Sequence, residues 1–278
     1  GNMGRIRYTA ASAGTDWASR IVNSSGTIRL DTDGHNVTLA GTIASNNTGG
    51  LVKSGAGTLI LGGNNSYGGA TTASAGDLII NGNQSAATGT LTVDTGATLG
   101  GSGTIGGATT INGRHSPGNS PGIQTFNNGL TYNTGATFVW ELTANTETGR
   151  GTVFDGVNVT GGTLSVSTGV TSELVFNVAG SSVNWSDDFW GSNRQWFVFD
   201  NASAPVLSSA SVFETLNVGA DSFSQSLTSV RVGSGFSWEQ IDNGVYLNYT
   251  IPEPSTYALL ALAAAGVGAH VVRRRRNR

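Results

Sequence analysis

The chain has 278 residues, with 42 Gly, a single Lys (Lys53), no Cys and only 11% charged residues, for a formal net charge of −3. Without Cys there is no disulfide framework and no thiolate chemistry. Five of the 14 basic residues are Arg273, Arg274, Arg275, Arg276 and Arg278, so the body up to Ile251 carries 9 basic against 16 acidic residues; a mildly acidic body with no basic stripe excludes nucleic acid as a partner.

Lys, Glu and Gln are scarce, while Gly, Asn, Thr and Ser abound. That balance favours strands and turns over helices. The chain opens Gly1-Asn2-Met3 with no charged-then-apolar leader, so for an exported protein the first segment is expected to lie outside this sequence. Residues 1–25 are read as the remainder of a longer chain.

From Gly26 onward one phrase recurs: Gly, a small or polar residue, then a short apolar run. It stands at Gly26-Thr27-Ile28, Gly41-Thr42-Ile43, Gly57-Thr58-Leu59, Gly76-Asp77-Leu78, Gly89-Thr90-Leu91, Gly96-Ala97-Thr98, Gly103-Thr104-Ile105, Gly135-Ala136-Thr137 and Gly162-Thr163-Leu164. Each phrase predicts one short strand closed by a turn. A lone strand of this length cannot bury its apolar face, whereas stacked coils can. The irregular spacing favours a β-solenoid with variable loops, placed at residues 26–125. Asn64-Asn65 and Asn127-Asn128 are candidate stacking ladders between coils. Asp31-Thr32-Asp33-Gly34-His35-Asn36 alternates oxygen ligands as a calcium loop does, but it lacks the distal Glu, and a polar turn is the expected structure. His35 and His115 stand apart and are both expected in turns. No metal site and no cofactor are expected.

Ser116-Pro117-Gly118-Asn119-Ser120-Pro121-Gly122 predicts a tight double turn. Beyond it the strands become longer and more aromatic, as in Thr137-Phe138-Val139-Trp140-Glu141-Leu142 and Gln195-Trp196-Phe197-Val198-Phe199, and the last is Gly244-Val245-Tyr246-Leu247-Asn248-Tyr249-Thr250. Residues 126–251 are therefore expected to continue the solenoid and close it with a β cap. Trp185, Asp187, Asp188 and Trp190, with Trp196 nearby, form the densest polar-aromatic cluster. They are a candidate sugar contact, and the paired carboxylates raise polysaccharide cleavage as an alternative. Adjacent residues on a strand point to opposite faces, which argues against a catalytic pair, so no enzyme activity is expected.

Gly50-Leu51-Val52-Lys53-Ser54-Gly55-Ala56-Gly57-Thr58-Leu59-Ile60-Leu61, followed by Gly63, Asn65, Tyr67, Gly69, Thr71, Gly76 and Leu78, resembles the passenger-associated transport repeat of autotransporter-like bacterial surface proteins; the core of the likeness is residues 50–78. The resemblance implies an all-β, right-handed parallel β-helix outside the cell. Phe154-Asp155-Gly156-Val157-Asn158-Val159-Thr160-Gly161 resembles the strand that often ends such passengers.

At the other end, Pro252-Glu253-Pro254, an apolar run over 257–272 and the basic tail 273–278 together resemble a PEP-CTERM sorting signal. The resemblance implies recognition by an exosortase-type membrane enzyme. The run has 16 residues, short of the roughly 20 that a permanent span needs, and Gly266 and Gly268 weaken it further. A short C-terminal hydrophobic helix is expected there, anchored transiently in the inner membrane. Arg273, Arg274, Arg275 and Arg276 then stay cytoplasmic. An autotransporter is expected to end in its own membrane barrel, and a sorting tail here points away from self-transport. The expected function is a structural or adhesive protein of the cell surface or extracellular matrix, in contact with extracellular polysaccharide.

Overall fold

A computed structural model describes residues 4–208 and 212–253. Three sheets of nine, eight and seven strands wrap one lumen. From Thr71 onward successive coils visit the first sheet, then the second, then the third, whereas the two coils before it place strands on the first two only; strands of neighbouring coils pair in parallel. The chain is a three-sided parallel β-helix.

The alternation written in each strand builds the lumen. On the first face Ile28, Leu51, Thr71, Leu91, Thr109, Leu130 and Leu164 stack in register, and all of them are buried. On the second, Val37, Leu59, Leu78 and Leu99 form the same kind of column. Burying one such apolar side chain contributes about 1.5–3 kcal/mol. One coil holds too few of them to offset ordering its backbone at roughly 1–2 kcal/mol per residue. Stacking supplies what a single coil lacks, because every strand gains partners above and below.

The recurring Gly phrase marks different corners of the coil, which explains its uneven spacing. Strands follow it on the first face at Ile28–Asp31, on the second at Thr58–Leu61 and on the third at Thr104–Ile105. The phrase at Gly41-Thr42-Ile43 is a correction: no strand forms there. The Ile43 N–H donates to the Asn65 side-chain oxygen at 2.7 Å instead of to a sheet neighbour. Asn64 likewise accepts from the Asn83 N–H, and Asn127 accepts from the Thr160 hydroxyl. These Asn side chains brace the corners individually; a side-chain pair between coils is found at Asn133 and Asn112.

The early coils are short and the late ones long. Leu51 pairs with Thr71 and Thr71 with Leu91, 20 residues apart each time. Leu130 pairs with Leu164, 34 residues on, and Ser165 with Val206, 41 on. The added length lies at one corner, between the second and third faces. Residues 142–155, 176–193 and 219–234 leave the coil there and stack on one another. Ser182 N–H donates to Thr143 O, Ser222 N–H to Val183 O, and the Arg231 guanidinium to Trp185 O. Buried Asp155 ties this lobe to the predicted double turn, accepting from Gly122 N–H and Glu141 N–H. Desolvation, then the nearby Glu141 charge, push its carboxyl well above the usual range.

The helix ends by reversing direction. Arg194–Asn201 is the last parallel strand of the third sheet, and Gly244–Thr250 and Gly235–Ile241 add to it antiparallel. A two-residue loop with Asp242 at φ 51° joins that hairpin, the conformation that hairpins of this length favour. Trp238 from the outer strand reaches the lumen, packs on Phe213 at 5.0 Å and donates to the Ser172 hydroxyl. Glu239 and Asn248 face outward in a 2.7 Å hydrogen bond, so the edge is polar and poorly suited to further strand addition.

Candidate functional site

The sorting segment follows directly on the last described strand. The last strand ends at Thr250, and the Ile251 N–H donates to Asn193 Oδ1 at 2.9 Å. Ile251 packs its side chain on the core, Pro252 is half-buried and Glu253 is exposed. Ile251, Pro252 and Glu253 line an open hollow of about 390 Å³ together with Gly191, Ser192 and Asn193. On its other side the Pro252 ring meets Gly233, where a Cβ would stand 2.8 Å from Pro252 Cγ. Gly233 also has φ +80°, so it fits both the turn and the ring where a larger residue would not. Pro254, residues 257–272 with the helix expected there, and Arg273, Arg274, Arg275 and Arg276 lie outside the described residues. Among the described residues no helix is long and apolar enough to cross a membrane.

The Trp and Asp cluster is not a ligand surface on its aromatic side, which corrects the sugar-contact expectation for Trp185 and Trp190. Both rings are fully buried. They stand 4.6 Å apart edge to face, and Trp190 continues into Trp196 and Tyr249. A ring buried on both faces cannot stack on a sugar. Asp187 and Asp188 are exposed, in a short 3-10 turn and not on a strand. Asp187 accepts from the Phe189 N–H at 2.8 Å, so it caps that turn.

The Asp31 loop spends its oxygens within the protein. Asp31 accepts from the Asp33 N–H and pairs with Arg5, and Asp33 pairs with Arg7. Among the described residues no three His, Asp or Glu side chains gather as a metal site would require.

His35 follows a turn, but His115 does not sit in one. It lies on the strand Arg114–Pro117 and points into the lumen, fully buried. The Gln124 amide donates to Gly100 O, which leaves its oxygen to accept from His115 Nε2–H at 2.9 Å. His115 Nδ1 therefore accepts from the Tyr132 hydroxyl. Phe126 and Phe138 complete the surroundings. Burial lowers the His115 pKa to about 4, opposed only by the bond to Gln124. Below pH ~6.5 the unfolded chain takes up a proton that the folded chain refuses, so stability falls as pH drops through that window. The His115 contribution to that loss should be about 2 kcal/mol between pH 7.5 and pH 5, read as the difference in urea-derived stability between the wild type and His115→Gln, because Asp155, with its carboxyl raised, acts in the opposite direction over the same window. A His115→Gln variant should lose markedly less over the same interval; an equal loss would assign the effect to other groups.

One regular feature of the surface is invisible strand by strand in the sequence. Thr72, Thr92, Thr110, Thr131 and Ser165 are the outward middle residues of five successive first-face strands, paired in register. They form a straight hydroxyl rank at the inter-strand spacing of about 4.8 Å. Ala70, Thr90 and Ala108 flank it on one side, Ser74, Asp94, Asn112 and Asn133 on the other. The signal is present as the triplets Thr71-Thr72-Ala73, Leu91-Thr92-Val93, Thr109-Thr110-Ile111 and Leu130-Thr131-Tyr132, but only coil registration aligns them.

Comparison with known families matches the passenger-associated-transport-repeat at residues 51–80. It also matches the PEP-CTERM protein-sorting motif at residues 250–276. The second match begins at Thr250, the last residue of the final strand. A motif of this kind is a signal for an exosortase and for export to the cell envelope or surface. A search of curated proteins finds no match.

Proposed function

We propose that the chain is a structural, adhesive β-helix of the bacterial surface or extracellular matrix, handed over to an exosortase by its C-terminal tail and held transiently in the inner membrane by residues 257–272. The observation that carries this reading is that a solenoid with a passenger-type repeat at 51–80 and a sorting motif stand in one chain, the motif starting at the last residue of the hairpin that closes the solenoid. The solenoid supplies a long, stiff body and the tail supplies delivery. The chain performs no catalysis in this reading.

The adhesive surface is the first face, with the rank from Thr72 to Ser165. Its hydroxyls repeat at a spacing close to the advance of one sugar along an extended polysaccharide. Small neighbours keep the rank open, and Asp94, Asn112 and Asn133 add carboxylate and amide partners for sugar hydroxyls. Each hydrogen bond is weak when taken from water, about 0.5–1.5 kcal/mol, so binding depends on engaging several coils at once.

One experiment tests both halves. Full-length protein, a Pro252→Ala/Pro254→Ala variant and a Thr92→Ala/Thr110→Ala/Thr131→Ala variant are compared in cells that carry an exosortase. The tail variant should accumulate unsorted at the membrane. The Thr variant should sort normally yet show reduced retardation in gels containing extracellular polysaccharide. Normal sorting of the tail variant sinks the delivery half, and unchanged retardation of the Thr variant sinks the adhesive half.

A further inference from the structure

We infer that the folded cap restrains the sorting segment, so that Asn193 and Gly233 set how readily the exosortase acquires it. This rests on the delivery reading and adds the control of the same site. Two contacts on separate loops hold the residues just ahead of Glu253. Asn193, from the loop after Trp190, accepts the Ile251 N–H at 2.9 Å. Gly233, after the short helix Leu227–Val230, supports the Pro252 ring. Between them Ile251 is laid on the core, and Pro252 is half-buried, with Gly233 against its ring and its open side on the hollow.

An enzyme cleft that surrounds an extended peptide needs both faces of the backbone it grips. Here one face of the first motif residue is occupied by the substrate's own fold. The segment has to part from Asn193 and Gly233 before it can be enclosed, and the apparent affinity is reduced by the fraction of time it is free. Ile251 supplies the N–H in this clamp; Pro252 and Pro254 have none to offer. That makes the Ile251–Asn193 bond the one backbone tether in the segment among the described residues, and its acceptor is a side chain that substitution can remove.

The restraint also has a consequence for quality control. Asn193 follows Trp190 by three residues, and Gly233 follows by two residues Arg231, whose guanidinium is bonded to Trp185 O and Asp187 O. Both contacts require the stacked lobe to be formed.

The test uses the full chain in cells that carry an exosortase, with a C-terminal epitope whose loss reports processing. Asn193→Ala should raise the processing rate roughly five-fold, the worth of one neutral hydrogen bond. Gly233→Ala, which drives a Cβ into the Pro252 ring, should act in the same direction. Hydrogen exchange on the purified full chain gives a second reading: the Ile251 amide should be protected in the wild type and exchange roughly five-fold faster in Asn193→Ala. Because Gly233→Ala also strains its turn, exchange in the strand Arg194–Asn201 must remain at wild-type rates for that variant to count. If Pro254→Ala abolishes sorting while both variants process at the wild-type rate, the restraint is overturned and the delivery reading stands. If Pro254→Ala sorts normally, both fall. An unprotected Ile251 amide in the wild type overturns the restraint alone.

Discussion

Trp190→Ala is expected to destabilise the C-terminal lobe by about 4 kcal/mol, the usual scale for deleting a buried Trp. Trp190 has no exposed surface. Its ring lies 4.6 Å from Trp185, 4.9 Å from Phe189 and 5.0 Å from Tyr249. It is also a hydrogen-bonding hub: the indole N–H donates to Asn145 on the first stacked loop, and its carbonyl accepts from the Tyr249 hydroxyl. The three loops of the lobe meet at this ring and its neighbours, so no single side-chain shift can refill the space. In a repeat architecture stability is a sum of neighbouring interfaces. The loss should therefore be local, and one global melting temperature is the wrong observable. Limited proteolysis should cut within residues 142–155 and 176–193 of the variant while the coils before Gly101 stay intact. Hydrogen exchange in Leu91–Val93 should not change. Cleavage spread evenly over the chain would mean that the lobe and the coils unfold as one unit, against the stacking account.

The stability of that lobe and the hand-over of the tail share atoms. Asn193 lies three residues after Trp190, and the acceptor it offers to Ile251 is positioned by the same loop. Trp190→Ala should therefore also release the sorting segment, a result that separates it from substitutions in the early coils.

The fold is legible in the sequence wherever the physics is local. Strands can be read because a buried face and an exposed one alternate within three to five residues, as in Leu91-Thr92-Val93. The stacked architecture can be read because no such strand is stable alone. The three faces cannot. A Gly phrase reports a corner, and nothing in the phrase tells which corner of the coil it turns. The Trp cluster misleads for a related reason: an aromatic beside Asp in a turn-rich stretch has the composition of a sugar platform. Burial is decided instead by loops 142–155 and 219–234, distant in sequence, closing over it. The Pro-Gly pair after His115 suggests a turn, yet the strand runs up to Pro117. The sorting motif is legible because it is a contiguous pattern. Its partners Asn193 and Gly233 are not, since neither residue type nor spacing links positions 193, 233 and 251.

Lys53 shows a case where the sequence carries a signal that alternation alone can decode. Leu51 points inward, so Lys53, two residues on, must do so as well. It stacks between Leu30 and Ala73 in the lumen and is fully buried. Its ammonium donates to Gly55 O at 2.6 Å, Ala75 O at 2.8 Å and the Thr32 hydroxyl at 2.9 Å. Gly76, at φ +64°, lets two turns close around it, because a Cβ there would stand 2.8 Å from Nζ and 2.4 Å from Gly57 O. The lone Lys thus gathers the carbonyls of two successive corners. Desolvation lowers its pKa to about 8, against a smaller pull from Asp77 and Asp31. The sign of the pH dependence comes from proton counts. Below pH ~8 both states hold the proton, and the fold carries the full cost of a buried charge. Between about 8 and 10.5 the unfolded chain keeps a proton that the folded chain has lost, so stability rises with pH. Relative to a variant without this amine, the wild type should gain about 2 kcal/mol between pH 7 and pH 10. Lys53→Met keeps the volume, removes the titration and leaves Gly55 O and Ala75 O without this donor. It should be less stable than the wild type at pH 10, because only the wild type then has a neutral amine that still donates to those carbonyls. At pH 7 the two should lie closer together, since a buried charge offsets part of what its hydrogen bonds contribute. Denaturant midpoints at the two pH values, measured on both proteins, decide it. A wild-type curve parallel to that of Lys53→Met would mean that the amine titrates as it does in water, and that water reaches it inside the coil.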